Sequence, residues 1–241
     1  MIRFSSFLFA FVFMLCSAAH HAAQAQIADT VEALAEKSMG NENAPVTIIE
    51  YASLTCGHCA KFHKEDLPQL EKEYIDTGKV RLILRDFPLD QYALKAAAIA
   101  RCAGNDRYFA FLKVLFDKQG VWLTEENPLV GLERIARVGG LSSEDFRVCL
   151  KNEAIEKGIL QSRLDADKQF KINSTPTFII DGKKYDGDHS FASIKKVLDK
   201  KLSGVSEEDL APAAESAPAS TEAPGFFAGI KNFFRNLFSG S

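Results

Sequence analysis

The stretch APVTIIEYASLTCGHC, residues 44–59, runs a short apolar segment straight into two cysteines held two residues apart. Val46 to Tyr51 is β-branched and apolar enough for a buried strand, and the residues before it supply turn chemistry. Beyond the cysteines, AKFHKEDLPQLEKEYIDTG (60–78) sets Phe62, Leu67, Leu70 and Tyr74 at roughly helical spacing. That helix is expected to end near Gly78 and to kink at Pro68. A second strand follows in KVRLILRDFPL, 79–89. The order is strand, CxxC, helix, strand.

From residue 91 to about 170 the strand signal disappears. ALKAAAIARCAG, RYFAFLKVLFDKQ, PLVGLERIARVGG, SSEDFRVCLKN and AIEKGILQSRLDADKQF all carry helical apolar spacing with Gly or Asn stops. β-structure returns in STPTFIIDGKKYDGDH, whose DGKK and YDGD supply hairpin turns, and SFASIKKVLDKKL closes the domain as a helix. The pattern predicts an α/β chain in which residues 26–90 and 171–202 form one unit, interrupted by a helical insertion at 91–170.

The ends of the chain set the compartment. Arg3, the apolar run FLFAFVFML and the small residues Ala23 and Ala25 read as a secretory signal peptide over 1–25. The run is too short to span a bilayer. Cleavage after Ala25 removes Cys16 and leaves an even four of the five cysteines, in an oxidising compartment. A net charge of −3 gives no basic excess for nucleic acid. From Ser203 the composition turns to Ala, Pro, Ser and Glu, which predicts a disordered tether over 203–225.

Three chemistries compete for the CxxC. Zinc needs four ligands in a closed site; Cys56, Cys59 and His63 supply three, and only His189 remains as a further candidate. A purely structural disulfide across so short a loop removes little unfolded-state entropy. Redox exchange has a positive mechanism. A CxxC at a helix start puts the first sulfur where free backbone N–H groups and the dipole's positive end converge. Cys56 is then the thiolate-prone nucleophile, Cys59 the resolving thiol, and His58 adds polarity or positive charge beside Cys56. Lowering a thiol pKa by one unit is worth about 1.4 kcal/mol, so two units shift a two-electron couple by roughly 60 mV toward oxidising power. No metal or other cofactor is called for.

With the CxxC strand, the helical insertion and STPTFIIDGK together, the chain resembles the DsbA-type periplasmic thiol:disulfide oxidoreductases of the thioredoxin-like superfamily, over roughly residues 39–202. The resemblance implies a thioredoxin-like fold with an inserted α-helical domain. It also implies a cis proline at Pro176, which presents the Thr175 backbone beside the sulfurs, and a buried acid six residues before the nucleophile, Glu50, able to shuttle the Cys59 proton. Reduced exported proteins are the implied substrates and a DsbB-type membrane protein the implied reoxidant. Gly57 departs from the proline frequent in that family, and CGHC is also the setting of protein disulfide isomerases. An isomerase or reductase, or a non-enzymatic periplasmic chaperone or metal carrier, are the alternatives.

Two features lie outside the redox pair. Cys102 and Cys149 both fall in the helical block with inward-pointing neighbours. A bridge between them would close a loop of about 47 residues and contribute about 4 kcal/mol in the chain-entropy account; two buried free thiols are the alternative. In FFAGIKNFFRNLF, within 226–241, Phe226, Phe227, Ile230, Phe233, Phe234, Leu237 and Phe238 share one helical face opposite Lys231, Asn232, Arg235 and Asn236. Such a helix suits a membrane surface or a partner's groove.

Overall fold

The computed structural model describes residues 27–204. The signal peptide read at 1–25, the apolar helix read at 226–241 and nearly all of the tether lie outside the described residues. In chain order the elements are α1 (Thr30–Leu34), β1 (Lys37–Met39), β2 (Val46–Ala52) and α2 (Gly57–Lys61). A π-helical turn (Phe62–Asp66), α3 (Leu67–Leu70), a second π-helical turn (Glu71–Ile75) and β3 (Val80–Asp86) follow. Then come α4 (Gln91–Cys102), α5 (Asn105–Asp117), α6 (Gln119–Trp122), α7 (Pro128–Val138), α8 (Ser143–Leu150) and α9 (Glu153–Phe170). β4 (Thr177–Ile180), β5 (Lys183–Tyr185) and α10 (Phe191–Leu202) complete the described chain.

The five strands form one sheet in the order β1-β3-β2-β4-β5. β2 pairs parallel with β3, and the other neighbours pair antiparallel. A parallel pair needs a crossover, and the helical run 57–75 provides it, which is why the CxxC sits where β2 hands over to that run. Because side chains alternate along a strand, Val46, Ile48 and Glu50 share one face of β2. On that face Val46 and Ile48 pack with Leu82, Phe178 and Ile180 against Phe62, Leu70, Tyr74, Phe191, Ile194 and Leu198. Tyr51 and Ile179, on the opposite face, meet Phe87, Ala166 and Ile172. The largest cluster joins Ala52, Leu54 and both redox cysteines to the apolar faces of α4, α5, α7 and α8. The helical layer is thereby fixed to the redox corner of the sheet.

Local chemistry explains the joints. Asp90 caps α4 by accepting from the backbone N–H groups of Tyr92 and Ala93, and Ser142 and Asp145 form a capping box on α8. Lys171 stands in the left-handed region and ends α9. Pro68 does not kink a single α-helix as expected. It lies in the first turn of α3, and the run changes pitch through π-helical turns on either side. β1 carries no sequence signal of its own: Lys37–Met39 lacks an apolar run and is a strand because it pairs with the edge of β3.

Two covalent or ionic ties hold the helical layer. Cys102, the last residue of α4, is disulfide-bonded to Cys149 in α8. One residue earlier, the buried Arg101 donates to Asp86 at the end of β3 and to the carbonyls of Ala33 and Ala35, at 2.9 and 3.2 Å. The guanidinium therefore joins three segments that the chain brings together from far apart. Arg101→Met leaves the Asp86 carboxylate buried without its partner, a change that costs about 3–5 kcal/mol. Urea unfolding should show that loss for the single variant and a smaller one for Asp86→Leu combined with Arg101→Met; equal losses would mean the pairing is not what the site depends on.

Candidate active site

Cys56 and Cys59 are free thiols at the start of α2. Cys56 is the N-cap residue, in extended backbone conformation, and its Sγ accepts from the Cys59 backbone N–H at 3.4 Å. Across from it the Thr175–Pro176 peptide is cis, and the Cys56 thiol donates to the Thr175 carbonyl at 3.2 Å. Cys56 keeps 9% of its surface exposed whereas Cys59 has none. Position in the helix thus separates the two sulfurs into an accessible one and an enclosed one.

Their acidities diverge for the same reason. Cys56 is lowered to about 5, chiefly by the hydrogen bond from the Cys59 thiol, with burial opposing. The backbone N–H groups of Cys59 and His58 add to the lowering. Cys59 is pushed far above the ordinary thiol range, first by burial, then by its bond to Cys56 and by the negative charge of Glu50. The His58 side chain is exposed, and it is the backbone N–H of that residue that acts on the sulfur.

Glu50 lies fully buried in β2, on the sheet face covered by the helical run. Its two carboxylate oxygens stand 3.1 and 3.0 Å from His63 Nε2. The imidazole is stacked on Phe116 of α5, with ring centroids 4.1 Å apart. His63, considered above only as a metal ligand, is instead the partner of the buried acid. Among the described residues no cluster of His, Cys, Asp or Glu is arranged to hold a metal.

The segment 53–56 is held from outside. Gln119 in α6, itself buried, donates from Nε2 to the carbonyls of Leu54 and Cys56 at 2.9 and 3.0 Å. Thr55 Oγ1 donates to Asp90 at 2.6 Å, and the Leu89 backbone N–H reaches Ser53 Oγ at 3.3 Å. Nothing in the sequence marks Gln119, because a glutamine near a helix end carries no periodic signal. Glu50, Cys56, Cys59, Thr175 and Pro176 converge on this corner. Cys102 and Cys149 are bonded to each other, and the seven apolar residues of 226–238 lie outside the described residues.

A sheet of this order, with a CxxC at the β2–α2 junction and a cis proline facing it, defines a thioredoxin-fold dithiol protein. The thioredoxin family profile matches residues 32–200. The fold superposes on α-DsbA1 of Wolbachia pipientis with a TM-score of 0.65 and 34% identity, covering 70% of this chain and 91% of that one. The chain belongs to the thioredoxin family and, within it, to the DsbA-type proteins. It is 32% identical over 165 residues to a putative protein-disulfide oxidoreductase of Rickettsia prowazekii, matching 68% of this chain and 60% of the relative. The chain therefore spans about 60% of the length of that curated relative. BdbD of Bacillus subtilis, in its oxidised form, shares the fold at a TM-score of 0.63 and 22% identity.

Titrating the reduced protein by thiolate absorbance should give one ionisation near pH 5, with iodoacetamide labelling Cys56 and sparing Cys59. Cys59→Ala removes the largest stabiliser of the Cys56 thiolate, so the midpoint should move up. An unchanged midpoint would assign the lowering to the helix amides and the Thr175 contact instead.

Proposed function

We propose that this chain is a thiol:disulfide oxidoreductase that donates its Cys56–Cys59 disulfide to reduced exported proteins. The observation that carries the reading is the asymmetry of the two sulfurs, Cys56 at the helix N-cap accepting from the Cys59 backbone N–H beside the Thr175 carbonyl and Cys59 fully buried, with their acidities pulled in opposite directions. A substrate thiolate attacks Cys56 Sγ, the Cys56–Cys59 bond breaks, and the electron pair leaves on Cys59, which takes up a proton. A second substrate thiol, losing its proton, then attacks the substrate sulfur of the mixed disulfide and displaces Cys56 as thiolate. Cys56 is a good leaving group because its thiol is acidic, which favours release of the oxidised substrate.

The cis-proline loop supports a groove for an extended substrate segment, since Thr175 offers backbone groups beside Cys56. Reoxidation would fall to a membrane protein of the DsbB type. The signal-peptide pattern and the apolar face of 226–238 support action outside the cytoplasm, close to a membrane surface. Among the described residues no helix is long and apolar enough to cross a membrane.

Oxidation of a reduced, unfolded protein by the preformed disulfide should be abolished in Cys56→Ser. Cys59→Ala should instead accumulate covalent mixed disulfides that identify the clients; a Cys56→Ser variant retaining oxidase activity would remove the proposal. The acidity of Cys56 also fixes a pH dependence. Its pKa in the folded reduced protein, about 5, lies below the value of about 9 for a free thiol. The resulting stability is complete above the unfolded value, falls as pH drops, and is gone below the folded one. The excess of reduced over oxidised Tm should thus shrink from pH 8 toward pH 4. A gap that widens on acidification contradicts the assignment.

A further inference from the structure

His63 stands four residues after Cys59, in the π-helical turn that continues α2. Phe116 packs against one ring face at 4.1 Å and Phe62 meets the ring edge-on at 5.7 Å, so the ring has a fixed direction. Nε2 has both oxygens of Glu50 within 3.1 Å. The Glu50 side chain has no exposure, and the small exposed share of the pair, 5% of its side chain, belongs to His63. An enclosed carboxyl that gives up a proton must be refilled through a neighbour. An imidazole suits that task because it takes a proton at one ring nitrogen and yields one at the other.

We propose that His63 is a positioning residue for the proton of Cys59: the imidazole and the Glu50 carboxyl act as one buried acid, with His63 as its connection to solvent. This rests on the reading of Cys56 and Cys59 as an exchanging pair. When a substrate thiolate bonds to Cys56 Sγ and the Cys56–Cys59 bond breaks, Cys59 departs with the electron pair. The Glu50–His63 pair supplies the proton that makes it a thiol, and water refills the pair through the imidazole. In the reverse step the same proton returns from Cys59 to the pair as the disulfide closes. No oxidant or reductant beyond the two disulfide partners is consumed.

The ionisable groups acting on this pair come from several elements. Cys59 in α2 feels the charge of Glu50, as does the buried Tyr108 of α5. Glu71 in the second π-helical turn feels His63 and, from α5, Lys113. Tyr108, like Cys59, is raised by its burial and stays protonated through the physiological range. Glu71 is therefore the charged neighbour of His63, and it faces Asp76 and Lys113 in turn.

The test reacts oxidised full-length protein with excess reduced glutathione between about pH 5 and pH 9, following Cys59 release by acid quench and mass spectrometry, with rates expressed per glutathione thiolate. In the wild type this rate should fall as pH rises through the titration of the pair. His63→Gln keeps a hydrogen bond to Glu50 but cannot carry a proton. It should slow release about tenfold, below the roughly hundredfold or more of a direct general acid, and flatten the profile. Cys56 should still ionise near pH 5 in this variant, which a general loss of structure would not permit. Should His63→Gln fail to fold, ring-nitrogen NMR of the oxidised wild type decides: the His63 midpoint must coincide with the inflection of the rate profile. A variant with the wild-type rate and profile, or midpoints that disagree, overturns the inference alone. A wild type that does not react with the thiol removes the exchange reading and this inference with it.

Discussion

The structure turns on one requirement: a negative sulfur must be held at the N-cap of α2. The charge is met by dipoles. The Cys59 thiol and the backbone N–H groups of Cys59 and His58 act on Cys56 Sγ, donors that a helix start gathers on one atom. The parallel pairing of β2 with β3 then follows as a structural condition, because the crossover it needs is the helix whose first turn does the work. The antiparallel pairing of β4 with β2 carries Thr175 and Pro176 to the same corner.

The second sulfur is governed by the sheet's alternation. Glu50 faces the helical run because it is two residues from Ile48 and four from Val46. A one-residue slip of β2 against β3 and β4 would turn it to the opposite face, among Tyr51 and Ile179, and leave Cys59 without its acid. The same slip would take Val46 and Ile48 out of their cluster, so the apolar core enforces the register that sets Glu50 against His63. Burial of a carboxyl is tolerated here because His63 meets both oxygens.

Legibility in the sequence followed from range. Strand β2, the CxxC, the helices between Gln91 and Phe170 and the DGKK hairpin rest on local periodicity or turn chemistry, and each could be placed from neighbouring residues. Cys56 and Cys59 were readable for the same reason. Thr175, Pro176 and Glu50 came from family likeness, since no local pattern marks a proline as cis or an acid as buried. β1 exists through pairing with a strand some 45 residues later, and Gln119 reaches Leu54 and Cys56 across the chain. His63 was visible as a residue but not in its role: its distance from Cys59 suits both a ligand and an inward helical neighbour. Only the position of Glu50 on the sheet decides between them.

The asymmetry of the sulfurs constrains how charge and protons move through a cycle. In the proposed exchange a substrate thiolate brings one negative charge to the site and Cys56 leaves with one, so the corner never has to hold two. Cys59, enclosed beside Glu50, is kept from carrying the charge at all, and its departure is therefore tied to proton uptake. One proton enters with the first bond exchange and one is lost by the substrate's second thiol in the next. The net proton count of the site depends only on whether Cys56 ends as thiolate. On the proposed exchange this separates two properties: oxidising strength follows from the donors around Cys56, whereas the pace of the step that breaks its bond to Cys59 would follow from the Glu50 carboxyl on the covered face of the sheet. Changes at Thr175 belong to the first and changes at Glu50 to the second, although the two residues face the same pair of sulfurs.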